Sequence, residues 1–177
     1  VIAAIAPVDS VERYEGFGNS GFGAGPLDSN GYLLQRYLVH ADLHTGSRVR
    51  LFTQVQSGLG TGRVGGPRST DQNRFEFQQV FVDLKAGSTP RKTAYLRLGR
   101  QELEFGAGRL ISASELLNVR RSFDGVRVTG QFGQWTVHGI AARPVQTIPG
   151  AFDDKTDDTQ SVRGVGVVHP NPLLAGG

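Results

Sequence analysis

The sequence predicts an all-β protein, an antiparallel up-and-down meander of about eight strands. Apolar and polar residues alternate with a period of two over most of the chain, which is the pattern of a strand with two different faces. No convincing stretch shows the 3.6-residue period of an amphipathic helix. Long and short connections also follow one another in regular alternation, as in a meander whose long loops all lie at one end.

Each predicted strand is justified by its own alternation. In the stretch 94–101, for example, Leu96 and Leu98 share one parity while Arg97 has the other. In the stretch 36–44, Val39 has the apolar parity and Arg36 the polar one. The predicted strands lie, in order, at 11–17, 36–44, 48–56, 74–84, 94–101, 126–128, 135–141 and 162–168.

The lengths of the connections between these strands indicate the class of β protein to which the sheet belongs. The long ones lie at 18–31, 58–73, 105–122 and 143–160, and the short ones at 45–47, 86–93 and 130–133. Short turns at one end and long loops at the other are typical of outer-membrane barrels, and strands of roughly 9–13 residues suit a tilted bilayer crossing. Alternation alone does not separate such a barrel from a soluble β-sandwich or solenoid, in which the apolar face covers a core.

Composition excludes several classes of protein. The chain has no Cys, which excludes a disulfide framework, a zinc ribbon and a thiol nucleophile. No apolar run approaches the ~20 residues of a transmembrane helix. We interpret residues 1–8 as a signal-peptide remnant or N-terminal tail and residues 9–177 as a partial barrel domain.

The basic residues are 16 Arg and only three Lys, with a formal net charge of +3. A guanidinium stays protonated and offers a planar fork to a carboxylate. Arg on the lipid side would cost roughly 2–4 kcal/mol at the bilayer midplane, so strand parity assigns the arginines to an aqueous lumen. The residues expected to line it and bind substrate are Arg36, Arg50, Arg97, Arg121 and Arg127.

Other charged residues are expected to modify this lumen. Arg100 and Asp124 share the parity of apolar neighbours, so either they lie beyond the apolar band or a bulge near Gly99 or Gly125 redirects them. Three acidic residues would interrupt the positive field so that an anion is not trapped: Asp42, Asp83 and Glu102. The alternative is that these charges form internal ion pairs that fill a small barrel.

No motif in the sequence forms a catalytic constellation, so we expect no enzyme and no cofactor. Residues 16–21 match G-x-G-x-x-G, but a Gly- and Pro-containing stretch follows where a helix should begin. His40 and His44 share a strand face about 13 Å apart, too far for one metal ion. The arginines are spread along the strands instead of clustering with aromatic residues, so no nucleic-acid partner is expected.

Four aspartates form the acidic cluster of the sequence: Asp153, Asp154, Asp157 and Asp158. Their carboxylate oxygens are a candidate for a Ca²⁺ site in a long loop. The alternative is a solvated loop whose charges are unpaired, and no other metal site is predicted.

Two stretches carry a family resemblance. Residues 99–106, GRQELEFG, lead into Gly108-Arg109-Leu110, and residues 118–127 spell NVRRSFDGVR. Together they resemble the signature of the alginate export family of bacterial outer-membrane barrels, over roughly residues 12–165. The resemblance implies an anion-selective transmembrane barrel of about 18 strands through which a polyuronate leaves the cell.

We therefore expect an outer-membrane channel for export or diffusion of an anionic, alginate-like polysaccharide or a small carboxylate. Its other expected partners are outer-membrane lipid and periplasmic secretion proteins. The alternatives are a small closed structural or adhesive barrel without a pore and, more remotely, an enzyme built on a barrel. About eight strands of about 18, the lack of Met and an end without an aromatic final strand indicate a fragment.

Overall fold

Ten strands, all paired antiparallel, make up the regular structure of the described residues. The computed structural model describes residues 2–5, 9–18, 29–89, 92–105, 108–109, 111–114 and 116–169. The strands are β1 Ile2–Ile5, β2 Asp9–Gly18, β3 Ser29–Thr45, β4 Val49–Thr61, β5 Asn73–Thr89, β6 Lys92–Gln101, β7 Phe123–Phe132, β8 Trp135–Gln146, β9 Lys155–Thr156 and β10 Val162–Val168. Within those ranges no helix has the length and apolar character needed to cross a bilayer.

The strands form one meander with eight positions. Strands β3 to β8 each pair with the next along the chain. Strands β1 and β2 lie end to end along the outer edge of β3, and β9 and β10 do the same along β8. In the described part of the chain these two edges do not pair with each other, so the sheet is open. The predicted all-β meander of about eight strands is confirmed.

Several strands are longer than their side-chain pattern predicted. Strands β3 and β5 each have 17 residues, and β4 continues through Thr61 although its alternation fades at Gly58. A Cβ atom at Gly58 would lie 3.2 Å from the Val119 side chain, so the strand lacks a side chain where another segment packs closely. The connection predicted at 58–73 therefore shrinks to 62–72, while that predicted at 18–31 falls mostly outside the described residues.

The two faces of the sheet differ as the parity predicted. Leu51, Val82, Leu98 and Val126 are aligned across β4 to β7 on one face, which we call the apolar face. Eight aliphatic side chains of this face keep 36–45% of their surface exposed: Leu33, Val39, Val49, Leu51, Leu84, Leu98, Val126 and Val128. No second layer of described residues covers them, so this face does not form the core of a sandwich within the described structure.

The opposite face, which we call the polar face, is partly covered by the connection between β6 and β7. This segment, residues 102–122, is here called the inner loop. Its Leu103 is 1% exposed and packs with Phe123, Ile140 and Ala142 in the one cluster of buried apolar residues found in the described structure. The burial of these apolar groups holds the inner loop against the strands.

Gly99 allows β5 and β6 to pair closely beside the polar face. Its φ is +126°, and a Cβ atom there would lie 2.2 Å from the Val80 carbonyl oxygen. We expect Gly99→Ala to destabilise the protein by about 1–3 kcal/mol, because it adds strain and a clash with backbone. Urea-induced unfolding of the protein refolded into lipid vesicles measures the loss.

Gly139→Ala is the matched control for Gly99→Ala. Gly139 lies in β8 of the same sheet, its φ is not positive, and its Cβ would meet nothing within 4 Å. We expect its substitution to change the free energy of unfolding much less. Equal stability of the two variants would contradict the packing role of Gly99.

Candidate functional site

A single row of charged residues crosses the polar face. The backbone register aligns His44, Arg50, Asp83, Arg97 and Arg127 on β3 to β7. Neighbouring strands lie about 4.8 Å apart, so side chains at one level reach one another. We call this set, together with Asp42 one level away, the charged row.

Ion pairs fix the geometry of the charged row. Arg50 binds Asp42 with two nitrogens, Nε to Oδ1 at 2.8 Å and Nη2 to Oδ2 at 2.8 Å. Arg97 binds Asp83 in the same two-pronged way, at 2.6 and 2.8 Å. The third Arg50 nitrogen, Nη1, donates to Asp83 Oδ2 at 3.3 Å. Asp83 therefore bridges two guanidinium groups, and bidentate pairing of this kind holds each one in a defined plane.

Aromatic rings support the same guanidinium groups from the neighbouring level. The Cζ atom of Arg97 lies 3.6 Å from the centroid of the Phe81 ring, and that of Arg50 lies 5.0 Å from the Phe52 ring. The two rings stack on each other with centroids 5.0 Å apart. Cation–π contacts thus add to the ion pairs, and the two positive charges are positioned before any ligand arrives.

Arg127 differs from the other arginines of the charged row. It lies directly opposite Arg97 on the next strand, and none of the described acidic residues forms an ion pair with it. Its Nε atom is buried without a hydrogen-bond partner, and its Cζ lies 5.6 Å from the Phe105 ring centroid. Two like charges side by side, one of them unpaired, make this end of the row attractive to an anion.

A cavity of 310 Å³ lies over the charged row. Its lining residues are Arg50, Asp83, Tyr95, Arg97, Arg127 and Thr129. The three guanidinium groups exceed the Asp42 and Asp83 carboxylates by one positive charge. The cavity therefore has the volume and the sign to hold a carboxylate group.

The structure places the other predicted lumen arginines apart from this row. Arg36 is 7% exposed, and its Nη1 donates to the Leu117 carbonyl of the inner loop at 3.0 Å. Arg121 is exposed and lines a separate cleft of 810 Å³ next to the inner loop. Glu102 pairs with Arg120 at 2.8 Å, within the inner loop. These residues lie at the inner loop and not in the charged row.

Arg100 and Asp124 lie on the apolar parity, opposite each other on β6 and β7. The register runs without a shift from Gly99 and Gly125 to this pair, so no bulge between these two strands redirects them. Their ion pair has Nε to Oδ1 at 2.9 Å, and Thr156 Oγ1 donates to Asp124 Oδ2 at 2.7 Å. The pair lies toward the long-loop end of the sheet and does not contribute to the charged row.

Asn118 holds the inner loop in place. Its Nδ2 atom lies within hydrogen-bonding distance of three backbone carbonyl oxygens, those of Asp71 at 2.7 Å, Gln35 at 3.0 Å and Leu59 at 3.2 Å. Sequence analysis placed Asn118 in a family motif but assigned it no role. The sequence did offer one signal that this loop packs on the sheet: Val119, next to Asn118, is an apolar residue in a long loop and so needs a surface to pack on. The structure shows that Val119 is buried.

The four aspartates of the predicted acidic cluster do not form one group. Asp157 accepts hydrogen bonds from Thr159 and Gln160, and those from Thr159 lower the pKa of its carboxyl. Asp158 pairs with Arg143. Asp153 and Asp154 instead approach Glu76 of β5, with carboxylate oxygens that lie within 4.8 Å of one another. Burial raises the pKa of Asp154, and its neighbour Glu76 adds to the effect.

Comparison with known proteins agrees with this architecture. The family model described as alginate export matches residues 7–169. No curated protein and no solved structure matches the chain significantly. The matched range includes every strand from β2 to β10, the inner loop and the charged row. This chain therefore belongs to the alginate export family, a family of outer-membrane β-barrel proteins that function in transport.

Proposed function

We propose that this chain forms part of the wall of an outer-membrane channel whose polar face passes an alginate-like polysaccharide or a related carboxylate. The observation that carries the proposal is the charged row, in which Arg127 has no acidic partner among the described residues. The exposed side chains of the apolar face support contact of that face with lipid. Periplasmic partners that deliver the polymer belong to the same proposal.

The arrangement of charges suits passage better than tight binding. Asp83 shares its carboxylate between Arg50 and Arg97, so an incoming carboxylate competes with an internal one for the same donors. Arg127 offers donors without that competition. A polymer with a carboxylate on each sugar then steps along the row, because conduction requires sites weak enough to release what they bind.

The position of the inner loop is evidence for a passage that is narrower at the long-loop end of the sheet. It lies on the polar face, held by Asn118 and by the Gln78 Nε2 donor to the Arg120 carbonyl at 3.2 Å. The charged row lies nearer the short turns, where the 310 Å³ cavity stays open. An open sheet and an unfilled cavity favour the channel over a small closed barrel whose interior is filled by its own side chains.

Removing the positive end of the row tests the channel proposal. We expect Arg97→Ala combined with Arg127→Ala to reduce the anion-over-cation permeability ratio by about threefold or more, because the local positive potential is lost. The reversal potential of single channels of the full protein in a planar bilayer, under a KCl gradient, gives this ratio.

A control with the same change in net charge is Arg143→Ala combined with Arg163→Ala. Both arginines are exposed, and the register places them on the apolar parity. We expect this variant to keep the permeability ratio of the unmodified channel. A cation-selective unmodified channel, or an unchanged ratio after loss of Arg97 and Arg127, would refute the proposed role of the row.

Asp83→Asn is expected to act in the opposite direction. It removes the carboxylate that holds Arg97 and the Nη1 atom of Arg50, so these donors become available to an external anion while Asp42 still holds Arg50 through Nε and Nη2. We expect block of the channel current by alginate oligomers to tighten by about threefold to tenfold, equivalent to about 0.7–1.4 kcal/mol. Asp158→Asn is the control, since Asp158 is exposed in a long loop and pairs only with Arg143 in the described structure. Weaker block by Asp83→Asn would show that the bridge is needed to orient the arginines.

A further inference from the structure

The sheet has a gap beside β5 that another segment fills. Strand β6 ends at Gln101, where the chain enters the inner loop, and the last pair between β5 and β6 is Val80 with Arg100. Residues 73–78 of β5 therefore extend past their neighbour. Residues 147–156, here called the outer segment, lie against this exposed edge.

The outer segment is joined to β5 through the backbone. Phe75 and Ala151 form a parallel bridge, the Phe152 N–H donates to the Phe75 carbonyl at 2.8 Å, and the Arg74 N–H donates to the Gly150 carbonyl at 3.2 Å. The Asp154 N–H also donates to Glu76 Oε2 at 2.9 Å, so these bonds hold a segment that is about 75 residues away along the chain. Carboxylates collect at this junction.

Three acidic side chains meet at the junction with too little positive charge. Glu76 is buried, and its ligand oxygen lies within 4.8 Å of those of Asp153 and Asp154. Within the described structure Arg100 is the guanidinium in ion-pair range, with Nη1 3.7 Å from Glu76 Oε1. Its Nε and Nη2 are already held by Asp124. Of the three carboxylates only that of Glu76 is in range of this guanidinium, which is engaged elsewhere, and the other contacts of Glu76 and Asp154 are hydrogen bonds from uncharged donors.

A buried amide oxygen provides an independent sign of a missing ligand. The Asn73 side chain is 0% exposed, and its Nδ2 donates to Asp154 Oδ2 at 2.8 Å. Its Oδ1, which shares a carbon atom with Nδ2 and so lies at the same junction, has no hydrogen-bond partner. Asp153 Oδ1 is likewise inaccessible and without a partner. Buried acceptors without donors are costly, and a cation satisfies several of them at once.

We propose that Glu76, Asp153, Asp154 and Asn73 form a Ca²⁺ site that fastens the outer segment to β5. All available ligand atoms are oxygens, as Ca²⁺ prefers. Oxygens bound to one Ca²⁺ at about 2.3–2.6 Å are at most about 5 Å apart, which matches the observed spread, whereas Mg²⁺ at about 2.1 Å requires a tighter group. The inference goes beyond the proposed channel function and does not depend on it.

Calorimetric titration of the purified full protein in detergent with CaCl₂ tests the site. We expect a dissociation constant of about 10⁻⁴–10⁻³ M, as in other weak Ca²⁺ modules, and at least about tenfold weaker binding for Asp153→Asn. Asp153 is the informative position because its Oδ1 atom is buried without a hydrogen-bond partner, so replacing the carboxylate removes no bond at that atom. Asp157→Asn, from the same acidic stretch but outside the site, is expected to bind like the unmodified protein.

Three results would overturn the proposal: no Ca²⁺ binding by the unmodified protein up to about 10 mM, well above the expected range, tighter binding of Mg²⁺ than of Ca²⁺, or equal losses for Asp153→Asn and Asp157→Asn. If Asp153→Asn does not fold, the unmodified protein still decides. Ca²⁺ must then raise its Tm and slow tryptic cleavage after Lys155, which lies in the outer segment. The absence of both effects refutes the site.

Discussion

A guanidinium group cannot face lipid at the bilayer midplane without a cost of roughly 2–4 kcal/mol, and the proposed orientation of this sheet depends on that constraint. Strand alternation puts Arg50, Arg97 and Arg127 on one face and leaves the opposite face of β4 to β7 apolar, whereas Arg163 of the edge strand β10 has the apolar parity. The exposed aliphatic residues of that face have no protein layer over them in the described structure. In the proposed channel, the same residues would decide which side meets lipid and which side meets water.

The arginines of the polar face serve two different purposes. Arg50 and Arg97 are held by Asp42 and Asp83 and lie beside stacked phenylalanine rings, so their positions are stable but their charge is partly neutralised. Arg127 is not neutralised, and it lies next to Arg97. Internal ion pairing, which sequence analysis treated as an alternative to anion binding, is present here, and the proposed channel would combine the two. The ion pairs orient the arginines of the row, and the one excess guanidinium makes its net charge positive.

The inner loop links the interior of the sheet to its outer edge. When the chain turns inward after Gln101, the loop covers part of the polar face and also leaves β5 without a neighbour over residues 73–78. The outer segment then occupies that edge and carries Asp153 and Asp154 to Glu76. The partly covered polar face and the acidic junction are therefore two consequences of one change in chain direction.

Sequence alone determined the features that depend on local alternation. The parity of Arg50, Arg97 and Arg127, the strand order and the all-β class follow from a period of two, because successive side chains of an extended backbone point to opposite faces. The motif at residues 99–127 predicted the family, and the match of the family model over residues 7–169 shows that the chain belongs to it. The same chemical argument predicted Arg36 and Arg121 to line the lumen, but their surroundings differ. The inner loop covers Arg36, and Arg121 lies in a separate cleft.

Only the tertiary structure decided where the long connections go. Asn118 reaches backbone atoms up to 83 positions away, and Asn73 reaches Asp154 across 81 positions. A bulge in β5 also places Gln79 and Glu76 opposite Gln54 and Gln56, which ends the simple alternation there. Alternation is a property of the local backbone and can be counted along a sequence. Contacts between distant segments depend on how the whole sheet curves and on which loop finds an uncovered surface.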